Sequence, residues 1–211
     1  MRWMRTLPLV TLGPLLLALV GLVHPGGLAP ETAHRWVTLH IVLLPVFPLL
    51  ALGFPVLLRP PPAWSPAGPV EAATVIAWVG AAVYAVAYTG LDAVAGIGAG
   101  TIADQPGDQA ELRALVLSLY DVGDRIGQVG VYAFLVAVLA GAVALGARHG
   151  ARVLPGTVIL LGAGYSFIDS HIFWPRGVAT MLAMAAGFAL WAWATAKRPA
   201  PAAAYGASGA L

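Results

Sequence analysis

The chain reads as an all-α integral membrane bundle of about six transmembrane helices in three hairpins, on the strength of composition, segment length and charge placement. Sixty per cent of its 211 residues are hydrophobic, 9% are charged and the mean hydropathy is +0.85. One soluble core cannot absorb so apolar a chain. The apolar residues fall into stretches long enough to cross a bilayer, about 20 residues each, joined by short polar or proline-rich links. Residues 1–198 form one transmembrane domain, with no room for a sizeable soluble one, and 199–211 form a Pro/Ala/Gly/Ser tail expected to be disordered.

The first span covers residues 7–23, behind Arg2 and Arg5. A signal peptide begins in the same way, but His24-Pro25 and Pro30 interrupt the approach to a cleavage site at Ala29, which favours an uncleaved anchor. The second span covers 30–58: Pro30 suits the first helical turn, and Glu31 sits where the positive end of the helix dipole favours it. Pro45, Pro48 and Pro55 each remove a backbone donor, predicting a kinked helix beside a cavity.

A proline-rich cytoplasmic loop at 60–69 leads to a third span at 72–103 and a fourth at 112–145. Both exceed the roughly 20 residues a crossing needs, so they must tilt, break or project as a pair. Gly96 and Gly100 have the small-xxx-small spacing that lets two helix backbones approach. The fifth and sixth spans cover 153–168 and 177–195.

Basic residues orient the bundle. With a cytoplasmic N-terminus, Arg2, Arg5, Arg59, Arg148, Arg152, Lys197 and Arg198 lie inside, against Arg35, Arg113, Arg125 and Arg176 outside. Both termini are then cytoplasmic, in the cytoplasmic (inner) membrane of a bacterial-type cell. Trp3, Trp64, Trp191 and Trp193 are expected at the inner interface, Trp36 and Trp174 at the outer. On this threading every carboxylate but Glu71 and every histidine but His149 belongs to the outer half.

The polar residues define an outward-facing acidic and histidine-containing pocket. Folding the third and fourth spans about Gln105-Pro106-Gly107-Asp108 brings Asp92 level with about 120–124, predicting one layer of Asp92, Asp121, Asp124 and Arg125. Three carboxylates against one arginine call for water, a metal, histidinium or another cation. Glu31 and His34 share a face of the second helix, His40 is rotated by about 120° and lies about 9 Å deeper, and Asp169 and His171 join from the last connection. These residues form the pocket's rim.

The chemistry is bounded from several sides. No cysteine is present, which removes disulfides, thiolate metal sites and thiol catalysis. Imidazole and carboxylate ligands suit zinc, manganese or iron. Haem is disfavoured, since His40 needs a second imidazole at its depth and His24 and His171 read as too superficial. There is no Walker loop, no HExxH motif and no nucleophile elbow around Ser166, and Ser166 or Ser170 with His171 and Asp169 are too close in sequence to converge as a triad. The scattered basic residues exclude a nucleic-acid partner. The expected partners are the lipid bilayer and a cation, proton or small polar molecule that is bound or transported. A membrane enzyme using carboxylate, histidine or metal chemistry near the outer leaflet, and an accessory structural subunit, are the alternatives.

Overall fold

A computed structural model describes residues 2–59 and 68–196. The predicted loop at 60–67 with Trp64, the side chains of Arg2 and Trp3, and the tail with Lys197 and Arg198 lie outside the described residues. The described chain is helical throughout, without strands. Five helical stretches are long and apolar enough to cross a membrane: Arg5–Val23, Pro30–Leu57, Pro69–Ala103, Gln109–Ser170 and Arg176–Ala196. Their outward side chains are apolar, Val86 at 75% exposed and Val158 at 67% among them, as suits contact with lipid rather than water.

Helix α1 (Arg2–Val23) is followed by α2 (Pro30–Leu43), where the prolines act as expected. Pro45 and Pro48 cannot donate to carbonyls four residues back, and past Leu43 the chain turns, forms a 3₁₀ segment at Phe47–Leu52 and resumes as the short α3 (Gly53–Leu57). A neighbouring helix ties to this segment: the buried Tyr84 hydroxyl donates to the Phe47 carbonyl at 3.4 Å.

Helix α4 (Pro69–Leu91) passes into a π-helical segment at Asp92–Gly98 and then α5 (Ala99–Ala103). The long α6 (Gln109–His149) starts at Asp108, whose carboxylate accepts from the amides of Ala110 and Glu111. Gly150, at φ 69° and ψ −157°, has a backbone shape that only glycine adopts freely, and the chain reverses there through a 3₁₀ turn into α7 (Leu154–Ser170). Gly146 then lies beside Val153 and Gly164 beside Leu135. Helix α8 (Arg176–Ala196) packs on α1 and α7.

The core is aromatic. Phe54, Phe134, Phe188 and Trp191 meet edge to face with ring centroids 5.5–6.3 Å apart. Trp191 is wholly buried and donates to the Val153 carbonyl and the Thr157 hydroxyl. It is a core residue rather than the interfacial anchor expected, as is Trp36 at 5% exposed; each finds room against small or aromatic neighbours. Trp193 and Trp174 are exposed.

Two departures from the anticipated layout position the site. Ala95 packs on Gly123 and Leu91 on Gly127, so Asp92 comes level with about residue 126 rather than 120–124. The reversal centres next to Asp108, where α6 begins, rather than in the middle of the anticipated turn. Since α7 ends level with about residue 129 of α6, the first turns of α6 run on past it beside α5, which in turn packs on α2. That overhang is the wall of a cavity.

Candidate functional site

Asp92 opens the π-helical segment and is wholly buried, and neither carboxylate oxygen has a hydrogen-bond partner. Its nearest ionisable contact is His40, whose Nε2 lies 3.8 Å from Oδ1. Local sequence creates this approach: the His40 ring packs directly over Gly96, and Trp36 and Val37 over Gly100, leaving no space for a Cβ at either glycine. The Gly96/Gly100 spacing thus serves contact between α2 and the π segment.

His40 is oriented from behind. Its Nδ1 donates to the Trp36 carbonyl at 2.7 Å, an assignment the acceptor-only carbonyl requires, and its ring stacks on Trp36 at 4.8 Å. The Nε2 lone pair therefore points at Asp92 when the ring is neutral. His24 repeats the arrangement: Nδ1 donates to the Pro25 carbonyl at 2.8 Å, leaving Nε2 buried and without a partner. Its ring meets His40 edge to face at 5.1 Å and His171 at 6.4 Å.

His171 joins from the connection after α7, with a left-handed φ of 44° that is uncommon outside glycine. Its Nδ1 shares a hydrogen bond of 2.9 Å with the Tyr88 hydroxyl, and the two rings are nearly parallel. Burial pushes the His171 imidazole well below its ordinary value, with smaller contributions from His24 and His40; burial also lowers His24, against the hydrogen bond to Pro25.

His40, Tyr88 and His171 border a cavity of about 790 Å³. Trp36, His40, Tyr88, Tyr120, Asp124 and His171 contribute to its wall, with Arg113, Gln128, Phe173 and Asp169 around them. The segment at 26–30 closes one side and the overhang of α6 the other.

The anticipated residues divide into three groups. His40, Asp124, Asp169 and His171 line the cavity, with Asp92 buried behind His40. Asp121 and Arg125 are not among the lining residues: they pair with each other across one helical turn at 3.2 Å with 67% and 77% of their side chains exposed. Glu31 and His34 are exposed near the start of α2, also away from the wall. Asp169 is committed to Arg176 at 2.7 Å. The depth assigned to two histidines is corrected: His24 packs against both His40 and His171, because the 24–29 link carries the chain beyond the end of α1 before α2 turns back past it. Tyr88, Tyr120, Trp36, Gln128 and Phe173 were not foreseen; Tyr88 alone carried a signal, standing four residues before Asp92 on one helical face.

Among the described residues, no three His, Asp or Glu side chains are arranged to hold a metal ion. The His24 ring meets the other two imidazoles edge to face. Ser166 and Ser170 both engage Thr180, while His171 Nδ1 is taken by Tyr88, so no nucleophilic serine set forms there. No protein-family model, curated protein or solved structure matches the chain.

Proposed function

We propose that this chain crosses the cytoplasmic (inner) membrane six times in three hairpins, with both termini in the cytoplasm, and binds or transports a cation, proton or small polar molecule through its cavity. The reversal at Gly150 supports counting the long Gln109–Ser170 stretch as two crossings. The single observation that carries the functional reading is the cavity itself. Its wall combines ring faces, which attract cations, with Asp124 and the polar ends of Gln128, Tyr120 and His171. Separate parts of the chain supply it, and an intramembrane carboxylate lies directly behind.

A membrane enzyme is the second reading, favoured by His171: a buried imidazole held by Tyr88 on an unusual backbone could move protons.

A thermal-unfolding panel on the detergent-purified chain tests the first reading. The probes are sodium, potassium, ammonium and tetramethylammonium chlorides, magnesium and zinc chlorides, glycine and glucose. At least one class is expected to raise the midpoint in wild type, by linkage worth about 2.7 kcal/mol at a hundredfold excess over Kd. The response should weaken in Asp124→Asn. No response from any class contradicts the reading.

A further inference from the structure

His40 and Asp92 present acceptors to one another, and His24, set against the His40 ring, adds a third. Carbonyl partners fix the ring protons of His24 and His40 on Nδ1, so both Nε2 atoms present lone pairs. Asp92 adds two oxygens, and His24 Nε2 and both Asp92 oxygens are buried without a donor. Leaving that many acceptors unsatisfied away from water is costly.

A metal would satisfy them, but no three ligands converge here, and Asp92 is not itself among the residues that border the cavity. Arg35, which acts on His24, is exposed and donates to the Val23 carbonyl at 2.5 Å, so it is not available as a buried counter-ion. A proton needs no cavity. At 3.8 Å, a small torsion of either side chain closes the gap between Asp92 and His40 to a hydrogen bond.

We propose that Asp92 and His40 form a proton-binding site in which one proton is held as the Asp92 carboxylic acid, donated toward His40 Nε2, and exchanged with the cavity through His40. This rests on the cavity reading above and deepens it by making the proton the ligand of its innermost part. The titratable groups facing the pair are His24 from the link before α2, Tyr84 and Tyr88 from α4, and His171 from the link after α7, with Asp124 and Tyr120 of α6 on the cavity wall that His40 shares. Exchange is balanced within the pair: the O–H bond of Asp92 breaks as the N–H bond of His40 forms, giving carboxylate and imidazolium, and the imidazolium returns its ring proton to water in the cavity.

Infrared spectroscopy of the full chain in detergent, in H₂O and D₂O and without added probe, tests this. The expected spectrum at neutral pH contains the carbonyl stretch of a protonated carboxylic acid, shifted down in D₂O and lost on alkaline titration. Asp92→Asn should lack the band, His40→Gln should move the pH at which it disappears, and Asp124→Asn/Asp169→Asn should keep it. A folded wild type without the band, or a band surviving in Asp92→Asn, overturns the proposal, as does an unchanged titration in His40→Gln. If Asp92→Asn does not fold, the double variant decides: a retained band supports the site and a lost one overturns it. The two readings fail separately. A band with no response to the probe panel keeps the proton site and removes the wider cavity role, whereas a probe response without the band does the reverse.

Discussion

A buried imidazole is held by what surrounds both of its nitrogens. His24 and His171 are kept neutral chiefly by burial, and each has one ring nitrogen committed, to the Pro25 carbonyl and the Tyr88 hydroxyl. In the unfolded chain both take up protons as pH falls through about 6.5, the ordinary histidine value, while the folded state resists. The unfolded state therefore binds more protons in acid, and native stability is lost as pH drops below that value. Unfolding midpoints measured from about pH 8 to about pH 5, across the range in which histidine titrates, should decline toward acid, and His171→Gln should flatten the decline. A midpoint that rises toward acid contradicts the account. Asp121 and Arg125 illustrate the opposite case, a screened surface pair on one helix whose loss should cost within about 0.5 kcal/mol.

At the scale of elements, glycine spacing and helix irregularity work together. The π-helical segment presents Asp92 inward, and Gly96 within it admits the His40 ring that α2 delivers. A methyl group at Gly96 would occupy the space of that ring. Gly96→Ala should therefore destabilise the chain by about 1–3 kcal/mol, the range for overpacking, and displace His40 from Asp92. Gly162→Ala on α7 is the matched control: nothing lies within 4 Å of a Cβ there, and helix propensity alone should make it neutral or stabilising by up to about 1 kcal/mol. Denaturation of both variants in detergent checks the pair, and equal behaviour contradicts the packing role. Element ends were legible in the sequence because apolar runs, Pro30 and the Asp108 cap mark them. The π turn was not, since no residue type demands one. Nor was the edge of the cavity on α6, which falls between Asp124 and Asp121, only about 60° apart on the helix.

The whole molecule sets depth, and depth was what linear reading handled least well. His24 follows the end of α1 and His171 the end of α7, so each reads as an interfacial residue. The long α6 with α5 beside it, and α2 packed on α5, carry the protein surface past those ends, so that His24 and His171 cluster with His40. Composition made the membrane-embedded helical class plain, while of the anticipated layer Asp124 lines the cavity, Asp92 is buried behind His40, and Asp121 and Arg125 face away. It could not sort exposed from inward acids, because that depends on which neighbour covers each face. The overhang also explains why α6, at 41 residues, exceeds a single crossing.

The proposed topology puts this cavity on the outer side, and the absence of native cysteine makes that directly measurable. Asp124→Cys and, separately, Arg148→Cys would be treated with a membrane-impermeant maleimide in right-side-out and inside-out vesicles. The account predicts that Asp124→Cys reacts only from the right-side-out face and Arg148→Cys only from the other. Labelling of Asp124→Cys from the inside-out face alone, or its failure to react from either face while the denatured chain reacts, would contradict it.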